Sequence, residues 1–180
     1  MTAGAGPPSP SRRVHSGQVE VFADPVSGFD DTTWLERVAL NAAIAALDAE
    51  HTQGPDAVTV LLSDDTRVRN LNREFNGEDS ITDVLSFNET PGWHNGVPPA
   101  ESPGAEFFLG PGSEPRLGDI VISLPQVRKQ AEEHGVLVEK ELAMLVIHGV
   151  LHLLGYNHAG AEEERVMFGK TERILENVSV

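Results

Sequence analysis

The chain has 180 residues, 28 acidic against 13 basic for a net charge of -15, and no cysteine. The length suits one domain around one core, and the lack of cysteine excludes disulfides and thiolate metal sites, so a transition metal could be held only by His, Asp or Glu. The acidic balance disfavours non-specific nucleic-acid binding, which rests on phosphate charge; an RNA contact would need a local basic patch, a metal or a partner protein.

Residues 1–16 are rich in Ala, Gly, Pro and Ser and are expected to form a disordered tail without the apolar run of a secretory signal. Residues 17–180 are expected to form a single domain. Gln18 to Phe22 alternates polar and apolar residues, as a half-buried strand does. Thr33-Trp-Leu-Glu36 has the spacing of a capping box and predicts a helix to about Glu50 with Leu35, Val38, Ala39, Ala42 and Ala46 inward. Gly54-Pro55 breaks the chain, and Ala57 to Leu62 reads as a central strand. Ser63 is the expected cap of a helix from Asp64 to Phe75 that shows Val68, Leu71 and Phe75 on one face.

Val84 to Phe87 is a third strand. Residues 90–115 hold six prolines and five glycines and read as a long surface loop. Asp119 to Ser123 is a fourth strand, with Ser123 capping a helix that carries Pro125 in its first turn and ends at Gly135. Val138 to Leu154 is a strongly apolar helix closed by Gly155. A last helix follows, with Glu162, Glu163 and Glu164 at the positive end of its dipole, and runs to about Asn177. The order predicts an α/β (α+β) fold: a small mixed sheet of about four strands covered by about five helices.

The chemistry lies in His148-Gly-Val-Leu-His-Leu-Leu-Gly-Tyr-Asn-His158. The i, i+4 spacing puts His148 and His152 on one helix face, one turn apart. Gly155 can turn the chain back, and three residues later His158 can approach as a third ligand. Three neutral imidazoles suit one Zn2+ and leave a fourth position for water, the mark of a catalytic site. Unpartnered imidazoles on a helix this apolar would be costly, and a metal supplies the partner. His15, His51, His94 and His134 fall in expected loops or at helix ends and read as solvated. The uncharged run from Leu142 to Ala161 holds three histidines and several glycines, so a buried helix and turn fit it better than a membrane span.

The same His spacing occurs in metzincin proteases, which place Glu directly after the first His as general base. Here that residue is Gly149, which cannot take a proton, so a metalloprotease is the disfavoured reading. Phosphodiester hydrolysis asks instead for a metal that activates water, with a cation or donor to steady the transferring phosphate.

Over residues 57–177 the sequence resembles the YbeY-type bacterial endoribonucleases, also called rRNA maturation factors. The likeness is carried by the histidine segment together with Leu71-Asn72, Thr82-Asp-Val-Leu-Ser-Phe87, Leu117-Gly-Asp-Ile-Val-Ile122 and Glu141-Leu142. The resemblance implies a zinc cleft beside the sheet, with His148, His152 and His158 as ligands and a catalytic part for His148. It implies metal-dependent cleavage of single-stranded RNA in ribosomal RNA maturation, notably at the small-subunit 3′ end, and in ribosome quality control. The expected partners are pre-rRNA and the small subunit or a ribosome-associated protein, in the cytoplasm, with no DNA or membrane.

The chain departs from the family pattern where Tyr-Arg-Gly becomes Phe75-Asn76-Gly77, where an Asp before the last His becomes Asn157, and where a Pro before Thr82 becomes Ile81. The insert after Phe87 is also long. The loss of the phosphate-contacting Arg at Asn76 prompts the expectation that Arg73 or Arg116 supplies the charge. Asp83 is the candidate for orienting water, and Asn76, Ser86 or an arginine for holding phosphate. A zinc-containing ribosome-associated factor that cuts weakly or not at all is the alternative reading.

Overall fold

The computed structural model describes residues 14–16, 18–50, 57–89, 92–97 and 116–179. The elements are β1 (Val14–Ser16), β2 (Val19–Ala23), α1 (Thr33–Glu50), β3 (Val58–Ser63), α2 (Asp65–Leu71), a π-helical turn (Asn72–Asn76), β4 (Val84–Asn88), β5 (Gly118–Ser123), α3 (Leu124–His134), α4 (Val138–Leu153) and α5 (Ala161–Leu175). The sheet order is β1-β2-β3-β5-β4. β2, β3 and β5 run parallel, and the two edge strands are antiparallel to their neighbours.

The expected α/β architecture is present, with five strands instead of four. Val14–Ser16 pairs with β2, so the segment read as a tail from 1 to 16 contributes an edge strand at its end. Residues 1–13 lie outside the described residues. Most of the 90–115 insert does too, but residues 92–97 are not a free surface loop. Trp93 is buried, and the main-chain N–H of Gly96 donates to Leu154 O at 2.9 Å, tying this strap to the end of α4.

Strand alternation sorts the core onto two faces. On one face Val19, Val21, Val58, Val60, Leu62, Ile120 and Ile122 are buried under α1 and α4. Gly149 lets α4 approach closely: a Cβ there would stand 3.0 Å from Ile120 Cγ2. On the other face Leu85 and Val121 are covered by Val68 of α2, while Leu61, Leu71 and Phe87 stay only partly buried. The two faces are thus unequally covered, and β4 has α4 on one side and a largely open surface on the other.

Local capping differs from the sequence reading in two places. Asp64, not Ser63, caps α2 by accepting from Arg67 N at 2.8 Å. The Ser63 hydroxyl is taken by Asp24 Oδ2 at 2.6 Å, a partner 39 positions away. At α1 the Glu36 carboxylate accepts from the Thr32 hydroxyl at 2.8 Å, one residue before the expected Thr33. The helix expected to Phe75 ceases to be α-helical after Leu71. The buried Asn72 side chain donates to Ser80 O at 3.1 Å and accepts from Asn76 Nδ2 at 2.9 Å, and the backbone widens into a π turn that Gly77 ends at φ 74°. Ser123 caps α3 as expected, and Gly135 ends it at φ 66°.

Candidate metal centre

His148 and His152 project from α4 on one face, and Gly155, at φ 80°, turns the chain so that His158 meets them. Their ligand nitrogens all lie within 4.8 Å of one another. The Nε2 atoms of His148 and His152 are 3.1 Å apart, close to the roughly 3.3 Å that two nitrogens span across a tetrahedral zinc. The His158 ring centroid lies 5.6 Å from that of His148 and 5.0 Å from that of His152.

The chemistry of this donor set fits a metal. His152 Nδ1 donates to the main-chain O of Tyr156 at 3.1 Å, which places the proton there and leaves Nε2 bare toward the cluster. Burial pushes the His148 imidazole down to about 4, helped by the charges of His152 and His158 and opposed by Asp83. Burial, then His158, also lowers His152. Both rings are therefore neutral near pH 7, the form that coordinates. His148 Nδ1 is buried and has no hydrogen-bond partner.

Tyr156 fixes the loop that carries His158. Its hydroxyl donates to Glu50 Oε2 at 2.5 Å, and Lys170 Nζ donates to Glu50 Oε1 at 2.7 Å, so α1 and α5 both clamp the turn after α4. Asn157 Oδ1 accepts from His158 N at 2.9 Å, so the amide that replaces the expected Asp still makes a turn contact.

The histidines open onto a cleft of about 650 Å³. Asn76, Asp83 and Ser86, all singled out in the sequence, line it with Asn88, Met144 and Phe168. Asp83 is held on both oxygens: Oδ1 accepts from Val84 N at 2.8 Å and Thr82 Oγ1 at 3.1 Å, and Oδ2 from Gln130 Nε2 at 3.0 Å. Asn76 Nδ2 donates to Asn72 and keeps a second proton.

The two arginines expected to replace the missing charge are elsewhere. Arg73 donates to Asn70 at 3.2 Å and lies 3.9 Å from Asp79. Arg116 pairs with Glu89 and Asp119, each at 2.9 Å. Neither lines the histidine cleft, and among the described residues no Lys or Arg does. The partners of both guanidinium groups lie outside the cleft, which sequence spacing could not show.

Of the other histidines, His134 is not simply solvated: its Nδ1 lies 3.0 Å from Glu141 Oε2. His94 Nε2 lies 3.4 Å from Asn95 Nδ2. His51 and the side chain of His15 lie outside the described residues.

Sequence reasoning missed Phe168. The buried stripe of α5 is Met167, Thr171 and Ile174, and Phe168 sits off it, its ring centroid 5.9 Å from that of His148. A large aromatic one step off an inward stripe was the available signal.

The family model described as Endoribonuclease YbeY matches residues 27–179. The chain is similar to the protein named Endoribonuclease YbeY in Brevibacillus brevis, at 37% identity over 90% of this chain and 97% of that one. The same-named protein of Geobacillus kaustophilus is 44% identical over 78% and 82%. Among solved structures, the solution structure of TM1509 from Thermotoga maritima matches with a TM-score of 0.54 and 26% identity, covering 88% of this chain and 87% of that one.

Proposed function

The chain belongs to the YbeY endoribonuclease family, and from that premise we propose that it is a zinc-dependent endoribonuclease that hydrolyses phosphodiester bonds of single-stranded RNA. The observation that carries this reading is the convergence of three imidazoles on one point of an open cleft walled by polar side chains. Its place is in ribosomal RNA maturation at the small-subunit 3′ end and in ribosome quality control, in the cytoplasm, with pre-rRNA and the small subunit or a ribosome-associated protein as partners. Among the described residues no helix is long and apolar enough to cross a membrane.

His148, His152 and His158 would hold one Zn2+. Bound there, the ion would acidify a water and polarise a phosphoryl oxygen. The Tyr156 carbonyl fixes the His152 ring in the tautomer that presents Nε2. Asp83, held by three donors at the cleft wall, would orient a water from a side chain already fixed in position. Asn76 and Asn88 each keep a second amide proton to offer phosphate oxygens, while the Ser86 hydroxyl beside them would have to release Gly149 O, to which it donates at 3.4 Å.

The protease reading loses further ground in three dimensions. A Cβ at position 149 would stand 3.0 Å from Ile120 Cγ2 on β5, so a glutamate there would require the Ile120 side chain to shift. That no Lys or Arg among the described residues lines the cleft favours the second reading, a zinc-containing ribosome-associated factor with weak or no nuclease activity.

Purified chain incubated with single-stranded RNA tests both. Cleavage should stop on chelation and return with zinc, at about one ion per chain. His152→Ala should lose the bound zinc. Chelator-insensitive cleavage, or none after zinc loading, would sink catalysis by this metal, and full zinc stoichiometry in the variant would sink the ligand assignment.

A further inference from the structure

A groove of about 840 Å³ lies on the thinly covered face of the sheet, beside the cleft. Asn76, Ser86 and Asn88 line both spaces, so one continuous path leads from the histidines onto this face. Phe75, directly before Asn76 in the π turn, is 62% exposed. Its ring stands 5.1 Å from that of Phe87, which backs it. At the cleft itself Phe168 is 45% exposed next to His148. Large apolar rings left open on either side of a reaction centre have no folding role that exposure serves, and each offers a π-face.

The charges along this path are already matched. Arg67 lies 3.3 Å from Asp24, and Asp119 is paired with Arg116. With no Lys or Arg lining the cleft among the described residues, and a chain charge of -15, cationic side chains supply little phosphate attraction there beyond what a metal held by the three histidines would bring. Resting on the nuclease reading above, we propose that the chain holds its substrate by the bases. One unpaired base stacks on Phe168 at the cleft and another on Phe75 in the groove, with the linking phosphates passing the neutral donors between.

Stacking on aromatic rings tolerates any base, because every base has a π-face, and it requires bases free of a duplex partner. The device therefore selects for single strands without reading sequence.

The test uses zinc-loaded full chain and a single-stranded 2′-O-methyl RNA of about eight nucleotides carrying 2-aminopurine, whose fluorescence falls on stacking. Binding should quench the probe, and Phe75→Leu and Phe168→Leu should each weaken affinity about tenfold and relieve the quenching. Phe75→Trp and Phe168→Trp should retain both. Log affinity against log salt should be shallow, with a slope of magnitude below about 2. Urea midpoints of the leucine variants check that folding is intact. Binding that survives both leucine substitutions, or a steep salt slope, overturns this inference alone. If Phe168→Leu weakens binding and Phe75→Leu does not, the groove serves some other ligand, such as a protein, and the two-ring arrangement falls. If the unaltered chain binds no RNA, the nuclease reading falls with it.

Discussion

Gly155→Ala should be among the most damaging single changes in this chain. At φ 80° the backbone of Gly155 is in the left-handed region, which costs a residue with a Cβ about 1–2 kcal/mol. The larger effect is steric. A Cβ at this position would lie 2.1 Å from Trp93 O, 2.4 Å from Trp93 C and 2.7 Å from His94 N, where real contacts stay beyond 3.0 Å. These are main-chain atoms that cannot rotate away, so the strap 92–97 must lift by about an ångström or more. Lifting it strains the hydrogen bond from Gly96 N to Leu154 O, worth about 1 kcal/mol, and uncovers part of the buried Trp93 ring, worth about 1–2 kcal/mol. The sum is about 3–5 kcal/mol, at the upper end for point changes, and lowers the melting midpoint by roughly 10 °C for a chain of this size.

Urea unfolding of chelator-treated protein reads the effect free of metal linkage. Gly155→Asn is the informative companion. Asparagine tolerates the left-handed region but keeps the overlap, so it should be nearly as damaging. Gly160→Ala is the control: its backbone is extended, and the nearest atom to an added Cβ is Glu163 Oε2 at 3.8 Å, so only the poorer N-cap preference of alanine remains, about 1 kcal/mol. Rescue by Asn would show that the dihedral alone mattered, and a Gly155→Ala midpoint equal to that of Gly160→Ala would refute the reasoning entirely.

Two further outcomes follow from single positions. Gly169 lies in the interior of α5 with nothing within 4 Å of an added Cβ, so Gly169→Ala should stabilise the chain by about 0.5–1 kcal/mol; an unchanged or lower urea midpoint would contradict it. The His134 imidazole is raised above its ordinary value, chiefly by its hydrogen bond to the Glu141 carboxylate and then by the charges of Glu141 and Glu133. A raised folded value means that the stabilisation is fully present below about pH 6.5 and is lost as pH rises through the folded value. The stability difference between the unaltered chain and His134→Gln should therefore be largest near pH 5.5 and shrink toward pH 8.5; a difference that grows with pH would reverse the assignment.

Much of this molecule is set by patterns that span only a few residues. The bounds of α1 and α4, the alternation in β2 and β3, the stop at Gly135 and the i, i+4 pair His148 and His152 are all local periodicities, so they were legible before folding was considered. The turn at Gly155 belongs with them, because only a glycine goes cheaply into the left-handed region there. What needed the tertiary structure was competition among distant groups. Ser63 could have capped α2, but its side chain is turned to Asp24 and Asp64 accepts from Arg67 N in its place. Arg73 and Arg116 could have faced the cleft, but Asp79, Glu89 and Asp119 hold them outside it. Asn72 reaches Ser80 and turns the end of α2 into a π turn, which puts Asn76 on the cleft wall and Phe75 on the groove. The sequence determined which side chains could coordinate a metal, because two share one helix face at i, i+4 and the third follows the glycine that ends the helix. The folded chain decided which charges are already neutralised and which rings stay open, because a proton or a surface can be given to only one partner, and that partner is found in space rather than along the chain.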